Sequence, residues 1–170
     1  RLRQFHQIGV ELLGVSQPMG DVEVISLGAR VLDALGVLGA TTLHLNTLGD
    51  GPSRASYREA LIAYFSHHEM DLSVDSRTRL KLNPLRILDS KDKGDRAVIS
   101  GAPEINAYLS IAAKEFFDQV RWGLDGLGIT YVVNPRLVRG LDYYCHSAFE
   151  FITSELGAQG TVLAGGRYDG

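Results

Sequence analysis

The chain has 170 residues, of which 45% are hydrophobic and 22% charged, which is enough apolar material for a buried core and excludes a disordered chain. A net charge of -3 excludes a generally cationic nucleic-acid binder but allows a local basic patch. The single cysteine, Cys145, excludes an internal disulfide and a cysteine-based zinc site, and it predicts a reducing, cytoplasmic compartment. The sequence contains no run of about 18 apolar residues, so no membrane segment is predicted.

The first predicted element is a strand over residues 3–13, where side chains alternate with a period of two. Gln7 and Glu11 then share one face, with Cα atoms about 13 Å apart at ~3.3 Å per residue. Gly9 between them lets a ligand approach the backbone closely. A small zwitterion with a polar far end, such as histidine, fits this layout. The alternative is the solvated face of an antiparallel strand.

A helix and a second strand are predicted next. Asp21 is the expected N-cap of the helix and Gly36 its terminator. The strand covers residues 42–46, and the sequence GDGPS at residues 49–53 then breaks the chain. The apolar face of the helix carries Val24, Leu27, Val31 and Leu35.

The middle of the chain is predicted to be mostly helical. Ser53 is the expected cap of one helix, and Pro103 with Glu104 is expected to open another that continues to Val120. The segment between these helices is polar and is predicted to be irregular. The apolar face of the first helix carries Tyr57, Leu61, Tyr64 and Phe65.

Short strands return after Gly128, at residues 129–133, 144–153 and 161–166. The order predicts an α+β fold in which a sheet made by the two flanks is interrupted by a helical middle. The predicted division is 1–48, 49–137 and 138–170.

The sequence RGLDYY places four functional side chains close together. Arg139 carries a planar cation that suits a carboxylate or a phosphate. Tyr143 and Tyr144 are adjacent on a predicted strand, so one ring is expected in the sheet and the other at a binding site. The alternative is an ion pair between Arg139 and Asp142 that fixes a turn beside two core tyrosines.

Four further features have a structural and a functional interpretation. Gly165 and Gly166 either end a strand or form the floor of a ligand site. Residues 77–96 contain seven basic and three acidic side chains, which favours either a solvated surface or contact with phosphates. The adjacent histidines His67 and His68 lack the spacing of metal ligands, so no metal site is predicted there. Cys145 is expected to be a packed thiol.

Three stretches resemble motifs of the histidyl-tRNA synthetase family, in the order that the family has them. RQFHQIGVELLG resembles the second half of motif 2, LVRGLDYYCHSAFEF the first histidine-specific motif, and AGGRYDG the second. The resemblance extends over essentially the whole chain. It implies a class II catalytic fold, an antiparallel sheet with flanking helices, interrupted by an insertion domain at residues 49–137.

The resemblance implies a ligase that activates histidine with ATP to histidyl-adenylate and transfers histidine to the 3' end of tRNA(His). ATP is then a substrate, Mg²⁺ is expected from the family, and the full-length protein is expected to be a cytoplasmic homodimer without membrane contact. By resemblance Arg139 is the catalytic residue, contacting the ATP α-phosphate and the histidine carboxylate.

The resemblance also assigns the binding residues. Gln7 is expected to bind the amino-acid head of histidine and to belong to the ATP site, and Glu11 to bind the imidazole. The remaining residues implied for histidine are Tyr143, Tyr144, Gly165 and Gly166. Tyr144 is the expected partner of the imidazole, and Arg167 is expected beside the two glycines in the floor of the pocket. Those implied for tRNA are Arg77, Arg79, Lys81 and Arg86.

The chain starts without Met and is interpreted as a piece of a longer protein. The first motif 2 arginine, the motif 3 arginine, the dimer helix of motif 1 and an anticodon-binding domain are all expected outside it, so these residues alone are expected to be inactive. One rival interpretation is the regulatory subunit of ATP phosphoribosyltransferase, a related histidine sensor without catalysis. Another is an RNA-binding module that acts through the basic segment.

Overall fold

The computed structural model describes residues 4–139, 143–156 and 160–169. Within them the chain forms a four-stranded sheet in the order β2-β1-β3-β4. β3 pairs antiparallel with β1 and β4, and β2 pairs parallel with β1. The predicted α+β fold is confirmed, with a sheet that is mostly antiparallel. The strands are β1 (Thr42–Thr47), β2 (Val132–Val133), β3 (Cys145–Ile152) and β4 (Thr161–Arg167).

Helices occupy most of the remaining chain. Short 3₁₀ turns lie at Leu38–Ala40, Glu69–Asp71, Pro84–Ile87 and Ile105–Tyr108. None of the helices in the described ranges is both long and apolar enough to cross a bilayer. The α-helices are α1 (Pro18–Ala34), α2 (Gly51–His67), α3 (Val74–Leu82), α4 (Lys93–Ser100) and α5 (Ile111–Gly126).

The two faces of the sheet differ because side chains alternate along each strand. One face packs beneath α1 and α5, and its buried residues are Leu43, Leu45, Phe149 and Phe151. The opposite face carries His44 paired with Glu150 and Asn46 paired with Ala148. We call it the polar face. Residues 134–137, which follow β2, are attached there through Asn46 and His44.

Residues 51–108 form a second core, and we call them the helical unit. Their buried side chains come from α2, α3, α4 and the turns between them. Helix α5 and strand β2, by contrast, pack with α1 and β1. The predicted domain limits at 49 and 137 stay a prediction. Judged by which core its side chains join, the helical unit ends near residue 108. The largest side chains of this core are Tyr57, Phe65, Leu61, Leu72, Ile87 and Ile105.

Asp50 joins the two ends of the helical unit. Its Oδ1 accepts the Ser53 N–H at 2.9 Å, and its Oδ2 accepts the Ser110 hydroxyl at 2.6 Å. Asp50 is therefore the N-cap of α2, and the prediction of Ser53 was wrong because the aspartate side chain reaches the first turn. The helix predicted from Pro103 begins instead at Ile111, capped by Ser110, after a 3₁₀ turn.

Helix α1 begins earlier than its sequence predicted. Gln17 is the N-cap and Pro18 opens the helix, because a first-turn position needs no N–H donor. Asp21 lies inside the first turn and is an ion-pair partner rather than the cap. At the other end the prediction is confirmed: Gly36 has φ +71° and lets Val37 donate to Leu32 O at 2.9 Å, closing the helix.

The polar segment predicted to be irregular contains α3 and α4. Both helices have capping side chains, Ser73 for α3 and Asp92 for α4. Asp95, fully buried, accepts hydrogen bonds from Ser73, Ser76 and Ser90 and thereby ties the helices together. Side-chain hydrogen bonds, which an apolar repeat does not reveal, hold these helices together.

Asp95 should make the stability of the helical unit dependent on acid. Burial alone would raise its pKa, but the hydrogen bonds from Ser76, Ser90 and Ser73 outweigh burial and lower the pKa from 3.8 to about 2. A carboxyl group with a lowered folded-state pKa stabilises above its unfolded value and loses that contribution as pH falls. We expect a loss of about 2 kcal/mol between pH ~4 and ~2.

Urea unfolding of the protein and of Asp95→Asn across this pH range tests the expectation. The difference in unfolding free energy between the two should be largest above pH ~4 and shrink towards pH ~2. A difference that stays constant with pH would show that ionised Asp95 contributes nothing.

The strand predicted at residues 3–13 is not present. Residues 4–13 form neither helix nor strand, and their side chains are exposed. Alternation identifies side chains that would share a face, but a strand also requires a neighbouring edge for its N–H and C=O groups. None of the four strands in the described part of the chain pairs with this segment.

Candidate functional site

Arg139 lies at the polar face of the sheet, at the end of the segment 134–138, which we call the linking segment. Its Nη1 donates to Glu150 Oε1 at 2.9 Å, and its guanidinium carbon lies 5.3 Å from the centre of the Tyr144 ring. Glu150 also accepts the Thr161 hydroxyl at 3.1 Å. Arg139 Nε is buried and has no hydrogen-bond partner among the described residues. The Arg139 guanidinium is thus oriented by a carboxylate and an aromatic ring, and it retains one N–H donor for another acceptor.

Three tyrosines form an aromatic cluster beside Arg139. The rings of Tyr143 and Tyr144 are 4.6 Å apart, and Tyr168 approaches Tyr143 edge-on at 5.9 Å. A hydrogen bond with Tyr144 raises the pKa of Tyr143. The prediction that Tyr143 and Tyr144 face opposite sides was wrong, because β3 starts only at Cys145 and strand alternation does not apply before it. Asp142, the predicted partner of Arg139, lies outside the described residues.

Glu11 reaches this cluster through Tyr168. Burial and a hydrogen bond with Glu11 raise the pKa of Tyr168. Gln7 is exposed and forms no hydrogen bond or ion pair with any described residue. The structure therefore brings Glu11 together with the tyrosines but does not do so for Gln7.

The glycines of β4 face opposite sides of the sheet. A Cβ atom on Gly166 would lie 2.9 Å from Tyr144 Cδ1 and 2.8 Å from Ser147 O, so this glycine makes room for the site tyrosine. A Cβ atom on Gly165 would lie 2.6 Å from Phe149 Cζ, in the core. Gly165 and Gly166 therefore do not form one floor of the ligand site, because adjacent residues of a strand face opposite sides of the sheet.

Replacing Gly165 with alanine should destabilise the fold without adding a contact to the site. The Phe149 ring would have to move within a packed core, at a cost of about 1–3 kcal/mol. Urea unfolding measures the loss, and Gly39→Ala is the matched control, because a Cβ atom there meets no heavy atom within 4 Å. Equal unfolding free energies for the two variants would contradict the packing role of Gly165.

Arg167 is a structural residue next to the site. It is 8% exposed and donates to Asp21 Oδ1 and to Val15 O at 2.9 and 3.0 Å. It lies over Phe116, on which the His146 ring also stacks at 4.1 Å. Burial and the nearby Arg167 cation lower the pKa of His146, which has a φ of 44°. These contacts fix the start of β3 and the end of β4.

The basic segment is mixed with carboxylates in space. Arg77 Nε donates to Leu72 O and Arg79 Nη1 to Arg86 O, at 2.9 and 3.1 Å, so part of its charge is used within the helical unit. Arg79 also lines a groove with three aspartates. The tRNA role of Arg77, Arg79, Lys81 and Arg86 stays a prediction. The other charged residues of the groove are Asp75, Asp89, Lys91 and Asp92.

A small cleft connects the helical unit with the site. Arg54, Asn83 and Leu85 line it from the helical unit, and Arg139 and Tyr144 from the polar face. The described residues include no group of three or more His, Cys, Asp or Glu side chains able to hold a metal. Burial raises the pKa of the free Cys145 thiol, which favours a packed side chain over a nucleophile.

Two residues of this site, Glu150 and Tyr168, and one residue next to it, Arg136, were not predicted from the sequence. Glu150 is a charged residue within the apolar strand SAFEFI, and that contrast was a usable signal. Tyr168 lies in the AGGRYDG stretch but was not distinguished there. Arg136 carried no local signal, because its partners lie more than 30 positions away.

Comparison with known proteins identifies the family. The profile described as histidyl-tRNA synthetase matches residues 1–170. The chain is 62% identical over 170 residues to a histidine–tRNA ligase of Rhodospirillum rubrum and 58% identical to one of Gluconacetobacter diazotrophicus, covering all of this chain and 41% of each relative. The crystal structure of apo S. aureus histidyl-tRNA synthetase matches with a TM-score of 0.70 and 36% identity, covering 92% of this chain and 38% of that one.

The chain spans about two fifths of the length of the curated relatives it matches. The family profile matches the chain from its first residue to its last, and the solved S. aureus structure has the same fold. The chain belongs to the histidyl-tRNA synthetase family.

Proposed function

We propose that this chain supplies the histidine site and one catalytic arginine of a histidine–tRNA ligase. The observation that carries the proposal is Arg139, which is oriented by Glu150 and Tyr144 and keeps a buried Nε donor without a partner among the described residues. Relatives named histidine–tRNA ligase at 55–62% identity support the same activity.

The first reaction is the activation of histidine. A carboxylate oxygen of histidine attacks the α-phosphorus of ATP, the bond from phosphorus to the pyrophosphate oxygen breaks, and histidyl-adenylate and pyrophosphate form. Negative charge grows on the α-phosphate oxygens, and a fixed guanidinium such as that of Arg139 stabilises it. Glu150 holds this cation before substrate arrives, so little reorganisation is required. Mg²⁺ would accompany ATP, as the resemblance implies, and the described residues include no group of three or more His, Cys, Asp or Glu side chains that could hold it.

The tyrosine cluster and Glu11 would bind the imidazole. The hydrogen bond between Glu11 and Tyr168 supports a carboxylate next to the aromatic rings. An imidazole N–H can donate to this carboxylate, while the second ring nitrogen meets a phenol. An analogue without these nitrogens would leave the Glu11 carboxylate and a phenol without their partners, which penalises its binding. In this proposal Gln7 joins the site, for both histidine and ATP, only once substrate orders the exposed segment 4–13.

The second reaction transfers histidine to the 3' end of tRNA(His). The basic residues of the helical unit, Arg77, Arg79, Lys81 and Arg86, would contact the phosphates of the tRNA. A homodimer and a cytoplasmic location, as implied by the resemblance, belong to the same proposal for the full-length protein.

Histidine-dependent exchange of pyrophosphate into ATP tests the activity in a full-length protein that contains this sequence. Exchange with histidine, and none without it, supports the ligase. Histidine binding without exchange would instead identify the regulatory relative, and tRNA binding that ignores histidine would identify an RNA-binding module.

A further inference from the structure

We propose that Arg136 is a positioning residue, which fastens the linking segment to the helical unit and so holds Arg139 in place. The inference rests on the proposed function, because Arg136 acts through Arg139. The hydrogen bonds of its guanidinium go to three carbonyl groups at and just after the end of α4, and not to the tyrosine cluster or Glu150.

Arg136 binds the chain at the end of α4. Its Nη1 donates to Pro103 O at 3.1 Å, and its Nη2 donates to Ala102 O at 2.7 Å and to Ser100 O at 3.5 Å. Only Ser100 belongs to α4, while Ala102 and Pro103 follow its end, outside any helix or strand. Backbone carbonyls outside regular structure need hydrogen-bond donors from elsewhere in the chain. A planar guanidinium with several donors fits such a group of carbonyls better than any other side chain.

The other side of the linking segment is attached to the sheet. Asn134 N–H donates to Leu45 O at 2.9 Å, and buried Asn46 Nδ2 donates to Leu137 O at 2.9 Å. Both partners belong to β1. The linking segment is therefore bound to the sheet and to the helical unit at the same time, and Arg136 provides the charged attachment to the helical unit.

Arg139 directly follows this doubly attached segment. Val138 packs against the core of the helical unit, and the cleft lined by Asn83 and Leu85 includes Arg139 and Tyr144. A shift of the linking segment would therefore move the Arg139 guanidinium relative to Glu150. A misplacement of about 1 Å at a reacting group can cost on the order of 10²-fold in rate.

The two ends of the helical unit are joined by a contact that does not involve Arg136. Asp50 independently joins both ends of that unit through Ser53 and Ser110. Loss of Arg136 should therefore loosen the linking segment while the two cores stay folded. This separates a positioning role from a general loss of stability.

The test uses Arg136→Ala in the full-length protein. We expect kcat for histidine-dependent pyrophosphate exchange to fall about tenfold or more, with the KM for histidine changed less than about twofold. Arg136→Lys should restore part of kcat, because an ammonium group still donates to the carbonyls. Arg58→Ala, an exposed arginine on α2, is the matched control and should behave like the unmodified protein.

A double variant distinguishes positioning from other effects. In an Arg139→Ala background, Arg136→Ala should lower the residual exchange no further, since its target is already gone. An equal loss in both backgrounds, or no loss in either, would overturn the inference. If the unmodified protein shows no exchange, the proposed function fails instead.

Hydrogen exchange provides a readout that is independent of activity. Arg136→Ala should speed the exchange of the Leu137 amide while the amides of β1 keep their protection. Unchanged exchange at Leu137 would show that Arg136 does not fasten the linking segment.

Discussion

Replacing Arg139 with alanine in the full-length protein should lower the rate of histidine-dependent pyrophosphate exchange by about 10²–10³-fold. The affinity for histidine should change little, because the tyrosine cluster and Glu11 remain. Glu150 loses its ion-pair partner, but its side chain is 20% exposed, so water can solvate the carboxylate. Exchange kinetics combined with calorimetric titration of histidine separate the two effects.

Arg139→Lys is the informative second variant. Lysine keeps the positive charge but cannot present paired donors to Glu150 and a phosphate together. We expect it to recover only a small part of the rate lost in Arg139→Ala. If Arg139→Ala instead weakened histidine binding and left the rate at saturating histidine unchanged, Arg139 would be a binding residue rather than a catalytic one.

Replacing Arg167 with alanine should destabilise the protein by about 3–5 kcal/mol, the usual cost of breaking a buried ion pair. The change removes the ion-pair partner of Asp21, whose side chain is 9% exposed, and one donor from each of the carbonyl groups of Val15 and Gln17. Gln17 O still accepts the Gly20 N–H at 3.1 Å. It also removes the cation above Phe116. Urea unfolding gives the free energy directly.

Arg121→Ala is the matched control for Arg167. Arg121 also pairs with an aspartate, Asp118, but both side chains are about half exposed, at 45% and 55%. Ion pairs of this kind contribute about 0–1 kcal/mol. Similar losses for Arg121→Ala and Arg167→Ala would contradict the view that burial gives the Arg167 interactions their weight.

Elements with a strong apolar period could be predicted from the sequence. The buried face of α2 and the strands β1, β3 and β4 follow repeats that the sequence displays. The face predicted for α1 was wrong, because apolar residues occupy more than one side of that helix. Leu27, Val31 and Leu35 are 41%, 43% and 69% exposed, whereas the buried side chains are those of Val22, Ile25, Ala29 and Leu32. Helices α3 and α4 could not be found in this way. Their stability depends on capping by Ser73 and Asp92 and on buried Asp95, whose partners lie as far as 22 positions away.

The candidate site was predicted in part. Arg139, Tyr143, Tyr144 and Glu11 lie together, as the motifs suggested, whereas Gln7 does not join them in this structure. The contact between Arg139 and Glu150 spans 11 positions and depends on how the linking segment approaches β3. Local patterns contain no information on such an approach. The position of the linking segment relative to β3 depends on how the helical unit packs against the sheet.

The contact of Asp50 with Ser110 has a consequence for the order of folding. It closes a loop of 60 residues, and closing a flexible loop of that length costs roughly 3–4 kcal/mol of chain entropy. If the helical unit folds first, the burial of its own apolar core offsets this loss of chain entropy. Its two ends then hold β1 close to the strands that follow. The sheet then assembles from segments that are near one another, although they are distant in the sequence.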